Sequence, residues 1–368
     1  MEKRLQATHE ILYQAPAAHP LNYFGWPTVA RLTDGALVVG VSGFRNAHVC
    51  PWGQSVLFTG DAEGRNWSMP QIVNNSPIDD RDCGVTALDD GKYLISWFTS
   101  DTRHYFPSGG PARTETLDFR GLLDSWDEAM IQRYLGSFVR VFDGTTWGKA
   151  VAVAVTAPHG PIRLRNGDLF YLGNAFGRRG TDGVLHFAMK NLDGSLPQAL
   201  LSRDGGKTWA DRGGIPAVSG VNAFCEPHAI ELNDGRILGL LRTHTDAPHF
   251  SIWQTISADG GMTWSVPYQV AAGSPPHLLR HSSGLIIGSY GYREPGFGQR
   301  AMFSTDDGKT WDTDWIIRDD GPSSDLGYPS SVELSDGSIY TVYYQAPAAG
   351  LPCGVLASRW QLPARITG

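Results

Sequence analysis

The sequence of 368 residues lacks several things at once. No apolar run approaches the roughly 18 residues that a membrane-spanning helix needs. Only four cysteines occur, Cys50, Cys83, Cys225 and Cys353, widely spaced and with no Cys-x-x-Cys pair. That pattern excludes a disulfide framework and a cysteine zinc site, and leaves reduced thiols or small packing residues. Cationic excess is also missing: the net charge is −7, so bulk charge gives nucleic acid no footprint. The first residues, MEKRLQATHEILYQ, hold no apolar stretch of the signal-peptide kind. The expectation is therefore a cytoplasmic protein, or a secreted one if a leader has been trimmed. Long helical periodicity is scarce. In its place stand 44 glycines, 23 prolines and 12 tryptophans, a composition suited to many turns and short strands.

The stretch Glu226 to Arg242, EPHAIELNDGRILGLLR, is a β-hairpin written in sequence. Alternating residues lead into Asn233-Asp234-Gly235, and a second apolar run ends on arginine. Glycine accepts the positive φ that such a turn requires. Hairpin geometry brings the carboxylate at one end and the guanidinium at the other to the same sheet edge. Similar stretches start at Pro27, Asp82, His159, Pro275 and Tyr328, which makes six in all. Repeats about 50 to 75 residues apart, each mostly β, describe a propeller, since one blade cannot bury both its faces alone.

A second repeat interleaves with the first: SRDGGKTW at Ser202–Trp209, SADGGMTW at Ser257–Trp264 and STDDGKTW at Ser304–Trp311. Weaker copies run over Thr59–Trp67 and Phe142–Trp147. This Asp-box is a turn between outer strands in which Asp caps backbone N–H groups and Trp packs beneath. Its role is architectural. One segment breaks the pattern. Asp101 to Ser137 carries apolar residues at helical spacing, which predicts an insertion in the second blade with a short helix around Asp127 to Leu135. A lid over the site, a subunit contact or a plain surface excursion would each suit it. The expected fold is all-β: one six-bladed β-propeller domain over 1–368, with Asp-box turns and a helical insertion at about 101–137.

Six hairpins with interleaved Asp-boxes resemble the sialidase superfamily over nearly the whole chain. The resemblance implies that Glu226 partners a nucleophilic tyrosine and that Arg242 binds a substrate carboxylate. It also implies that Arg300, ahead of the last box, is a further carboxylate ligand and that Tyr328, opening the sixth hairpin, is the nucleophile. The chemistry is coherent. A sialoside's anomeric carbon carries a carboxylate that repels an anionic nucleophile, so a neutral phenol activated by a carboxylate suits it. Arginines hold the carboxylate through charge-assisted bonds.

The chain also departs from the pattern. Sialidases open the first blade with Arg-Ile-Pro, where this sequence has Gly25-Trp26-Pro27. The usual acid/base aspartate is replaced by Pro51 in the loop RNAHVCPWGQ. Arg45 is the candidate to replace the lost arginine and His48 to serve as general acid. Asp82 and Asp80 are rival acids, and Arg81 is a rival carboxylate ligand. Trp26 suggests stacking on a sugar ring. His277 joins the expected substrate-binding set, and Arg293 competes with Arg300. Other positions expected to face the site are His159, Asn174, His228, Tyr290 and Tyr344. A zinc site from His159, His228 and His277 lacks any short metal-ligand spacing, so neither metal nor cofactor is expected.

Three functions follow. The first is an exo-glycoside hydrolase acting on a terminal, acidic, sialic-acid-type sugar. The second is a propeller glycosidase or lyase for rhamnose- or uronate-containing glycans with a histidine acid/base. The third is a non-catalytic glycan-binding propeller. In each the partner is a carbohydrate, without nucleic acid or membrane, and a homo-oligomer is compatible with all three.

Overall fold

The computed structural model describes residues 3–366 apart from 107–109, 113–116, 181–184, 188–195, 222 and 246–248. Six antiparallel sheets form a β-propeller. Each repeated hairpin becomes the two inner strands of a blade: Tyr23–Arg31 with Leu37–Arg45, Asp79–Ala87 with Tyr93–Ser100, and Cys225–Glu231 with Ile237–His244. Pro276–Arg280 with Ile286–Tyr292 and Gly327–Glu333 with Ile339–Gln345 complete the regular set. Blade 3 is the irregular one. Its inner strand is split into Val155–Thr156 and Ile162–Arg163, both paired with Leu169–Ala175. The ring is closed by the start of the chain. Ala7–Tyr13 is the outermost strand of blade 6, antiparallel to Gly354–Trp360, with Ala7 opposite Trp360.

The hydrophobic core lies between blades. Val39 and Phe58 of blade 1 meet Tyr340 and Val342 of blade 6. Val38 and Leu57, from the same strands, meet Val85 and Ile95 of blade 2. Alternation along a strand thus sends successive side chains into different seams.

The Asp-boxes are outer turns. Asp259 Oδ1 accepts from Thr263 N at 2.9 Å, Thr263 Oγ1 donates to Asp259 Oδ2 at 2.6 Å, and Trp264 Nε1 donates to Gly261 O at 3.2 Å. Gly261 has φ +87°, and a Cβ there would stand 2.7 Å from the Phe170 ring of blade 3. The box therefore fixes both its own turn and a contact with the neighbouring blade.

The insertion has its own small core of Phe119, Leu123, Trp126, Ile131 and Leu135 packed against Ile78 and Phe176. The expected helix is Glu128–Tyr134, capped by Asp127, whose carboxylate accepts from Met130 N at 2.7 Å. An earlier helix, Arg120–Asp124, was not anticipated. It has five residues and no side-chain N-cap, so neither periodicity nor a capping signal announces it.

At the centre, the inner strands bring three histidines together. The His228 ring stacks on His277 with centroids 4.3 Å apart, and His159 lies 5.6 and 5.0 Å from the two. His228 Nδ1 accepts from Leu278 N at 3.0 Å and His277 Nδ1 from Ser331 N at 3.4 Å. Among the described residues, no group of three or more His, Cys, Asp or Glu is arranged to hold a metal ion. Burial lowers all three imidazole pKa values below 6.5, that of His228 to about 3, and neighbouring imidazoles add to the effect for His159 and His277.

Two outcomes follow for stability. Below pH 6.5 the unfolded histidines take up protons that the buried ones refuse. Stability therefore falls as pH drops through this range, by about 1.4 kcal/mol per pH unit for each imidazole that stays neutral. Thermal midpoints measured from about pH 7.5 to about pH 5 should show this slope. His228→Gln, which keeps an acceptor for Leu278 N, should make it shallower; an unchanged slope would assign the acid sensitivity elsewhere. Separately, Gly261→Ala should cost about 2 kcal/mol in denaturant unfolding, because it combines a positive φ with a steric clash.

Candidate active site

The site begins with a backbone irregularity repeated in four blades. Trp26, Asp82, Glu226 and Tyr328 all have left-handed φ, at +57°, +56°, +46° and +52°. Each sits where the register of its inner strand shifts against the next strand. A bulge of this kind re-aims one side chain out of the ladder, and a bulky residue at positive φ persists only where its surroundings enforce it. The residue that follows is Pro27, Cys83, Pro227 or Pro329. Then come Thr28, Gly84, His228 and Ser330, which run on into the inner strands. Asp82, Glu226 and Tyr328 belong to alternate blades, and all three line one cavity.

In that cavity Tyr328 Oη donates to Glu226 Oε1 at 2.5 Å. Arg242 Nη1 forms an ion pair with Glu226 Oε2 and lies 3.3 Å from the Tyr328 oxygen. Arg242 is fixed on its other sides by the face of Phe250, 4.6 Å away, and by His244 Nε2, which accepts from Nη2 at 3.3 Å. Asn174 secures the bulge itself: its Oδ1 accepts from Glu226 N at 2.9 Å, and its Nδ2 donates to Phe224 O at 2.8 Å.

The electrostatics separate the two carboxylates. Burial alone would raise Glu226, but the Arg242 charge, the Tyr328 hydrogen bond and Arg293 outweigh it and hold the pKa below 4.5. Asp82 has no such support. Burial pushes it up to about 7, Glu226 adds to the rise, and Arg81 only partly offsets it. Burial and the Glu226 charge also raise Tyr328 well above 10, so its phenol is neutral. The constellation thus offers a charged base against a neutral phenol, with a second carboxyl that is protonated below about pH 7.

The other sequence-derived candidates lie as follows. Arg81 lines the cavity, with its guanidinium 4.4 Å from the Trp26 ring centroid. Trp26 is 1% exposed, and Arg45 also lies over its ring, at 4.8 Å. It is a buried platform for guanidinium groups and has no open face for a sugar. Arg45 is fully buried and grips Asp79 with two bonds, at 2.6 and 3.0 Å. Asp80 is turned towards Asn74 and Ser76, at 2.9 and 2.6 Å, and is not a cavity-lining residue.

His48 bonds through Nδ1 to Asp325 at 2.9 Å and lies outside the cavity lining, as does His277, buried in the central trio. Arg300 packs on Tyr292 at 4.6 Å and donates to the Gly296 and Arg318 carbonyls. Arg293 is the arginine beside Tyr328, 5.7 Å from that ring's centroid, and it donates to Tyr344 Oη at 3.3 Å. Phe98, Thr156 and His244 also line the cavity and were not singled out from sequence. Only for His244 was there a signal, two residues beyond Arg242 on the same strand.

Comparison with known proteins agrees with this architecture. A structure of a Dyadobacter fermentans protein of unknown function is similar over 97% of this chain and 99% of its own, at 20% identity and TM-score 0.75. Trypanosoma rangeli sialidase in complex with sialic acid is similar over 96% of this chain at 14% identity and TM-score 0.64. The NanB sialidase of Streptococcus pneumoniae gives 96%, 15% and 0.63. This chain spans 58% of the length of the first sialidase and 70% of the second. No curated protein matches. The model of the BNR repeat-like domain matches residues 143–341, more than half of the sequence. With its six blades and Asp-box turns, the chain belongs to the BNR repeat-like domain family.

Proposed function

We propose that this protein is an exo-glycoside hydrolase that removes a terminal acidic sugar of the sialic-acid type. The observation that carries the proposal is the hydrogen-bonded Tyr328–Glu226–Arg242 group in a cavity shared with Asp82. The fold's likeness to sialidases, among them that of Trypanosoma rangeli with sialic acid and with 2,3-difluorosialic acid as a covalent intermediate, supports the choice of substrate. In the first step the Tyr328 oxygen attacks the anomeric carbon while its proton passes to Glu226. Asp82 gives its proton to the departing oxygen, so the aglycone leaves as an alcohol. In the second step Asp82, now a carboxylate, takes a proton from water as that water displaces Tyr328. Glu226 then returns the proton to the phenolate. Arg242 and Arg81 hold the substrate carboxylate. A rhamnose- or uronate-containing glycan is the second reading. It is favoured by Trp26 standing where a sialidase has arginine, which leaves Arg81 and Arg242 as the cationic lining.

The test is turnover of an aryl α-sialoside beside an aryl α-rhamnoside and an oligo-uronate. Tyr328→Phe should lower kcat on the true substrate by about 1,000-fold or more. Because Asp82 must be protonated, kcat/KM should fall as pH rises through about 7. Asp82→Asn should remove that alkaline limb. It should also slow cleavage of an alkyl glycoside about 100-fold or more, yet slow a nitrophenyl glycoside far less. Full sialoside activity in Tyr328→Phe would overturn the mechanism. Turnover of rhamnoside or uronate alone would transfer the site to the second reading.

A further inference from the structure

Beside the cavity, between blades 1 and 6, a second polar group is left unused by that chemistry. Asp325 stands just ahead of the inner strand of blade 6, and four side chains converge on it. Oδ1 accepts from His48 Nδ1 at 2.9 Å, Tyr23 Oη at 3.0 Å and Tyr344 Oη at 3.0 Å. Oδ2 has the shared Tyr23 hydroxyl at 3.0 Å and a long contact from Cys353 Sγ at 3.7 Å. The side chains of His48 and Asp325 are nevertheless 43% and 37% exposed, so the group opens to solvent. It adjoins the cavity through Trp26, whose ring meets His48 edge-on at 5.0 Å and carries Arg81.

Donor counting fixes the chemistry of this surface. An ionised carboxylate has only acceptors, so a nitrogen 2.9 Å from it must carry a hydrogen. His48 therefore holds its proton on Nδ1, and in the neutral ring Nε2 is an acceptor. A carboxylate offers about four lone-pair sites. Three donors share Oδ1, whereas Oδ2 keeps spare capacity. His48 and Asp325, both part-exposed, thus each keep an acceptor that the internal bonds do not saturate, beside the rings of Tyr23 and Trp26. Acceptors on two side chains in direct contact match a pair of neighbouring donors, which is what vicinal sugar hydroxyls present.

We propose that His48 and Asp325, steadied by Tyr23 and Tyr344, form a subsite for a vicinal hydroxyl pair of a sugar next to the Tyr328 cavity. The subsite acts by binding, takes no part in bond cleavage, and does not depend on the chemistry proposed for Tyr328.

The experiment measures binding of methyl β-galactopyranoside and its 3-deoxy analogue, which has no neighbouring hydroxyl pair, to the full chain by NMR titration. Wild type should bind the galactoside about fivefold more tightly than the deoxy sugar, the loss expected of one hydrogen bond. The imidazole nitrogen spectrum should show His48 as the Nδ1–H tautomer, with Nε2 shifting on titration. His48→Phe, which keeps the ring contact with Trp26, should lower galactoside affinity about fivefold and abolish the preference. Asp325→Asn should do likewise, and Tyr328→Phe should leave binding intact. Absence of galactoside binding, equal affinity for both sugars, or an unaffected His48→Phe would overturn the subsite. Failure of every aryl glycoside to turn over, with these preferences retained, would overturn only the hydrolase assignment.

Discussion

The heads of six inner strands must share one axis, and the site follows from that crowding. A regular ladder cannot continue into so small a space. In four blades the strand therefore bulges, and a non-glycine residue takes left-handed φ. The residue ahead of the central position is proline in five blades, Pro27, Pro158, Pro227, Pro276 and Pro329, and Cys83 in blade 2. Proline has no N–H, so at Pro27, Pro227 and Pro329 it removes a donor where the register shift leaves no ladder partner. The bulge then delivers Asp82, Glu226 and Tyr328 from alternate blades into one cavity. Convergence that no single blade could supply arises from the same local distortion used three times.

Charge is layered around this mouth. Asp79 and Arg45, both fully buried, form a bidentate pair under Trp26, and Arg81 lies over the same ring nearer the cavity. A buried guanidinium is tolerable only when its carboxylate is in place, and breaking such a pair costs about 3–5 kcal/mol. Arg45 is thereby removed from the pool of substrate ligands. Trp26 is the surface on which Arg45 and Arg81 are both stacked. The ring thereby supports Arg81, the cation that the second blade supplies to the cavity lining.

What the sequence disclosed, and what it hid, divides by range. The six hairpins and the Asp-boxes are local patterns, so their periodicity was visible and the propeller with it. Glu226 and Arg242 lie at the two ends of one hairpin, and their encounter was legible because Cys225 pairs with Arg242 in register. Ring closure by Ala7–Tyr13 was not, because that strand's partner is the last strand of the chain. The partners that fix Arg45 and His48 lie 34 and 277 residues away, and nothing near either residue announces them. Arg293 and Arg300 could not be ranked from spacing. Arg300 is inside a strand and pinned on Tyr292, whereas Arg293 lies just past the end of the preceding strand and turns towards Tyr328.

The two carboxylates on equivalent bulges show how one scaffold position yields opposite chemistry. Glu226 and Asp82 share left-handed φ, a place on an inner strand and the same cavity. They differ in what meets the side chain. Glu226 has a guanidinium on one oxygen and a phenol on the other, and these overcome burial and keep it charged. Asp82 has Arg81 as its main opposing charge, and burial prevails. Each state reinforces the other, since the Glu226 charge contributes to raising Asp82. Titratable groups pushed apart by their surroundings divide into base and acid at one pH. In the proposed mechanism Glu226 takes the phenol's proton while Asp82 supplies one to the leaving group. Arg242 contributes most to that division, being the strongest of the influences that hold Glu226 down against its burial.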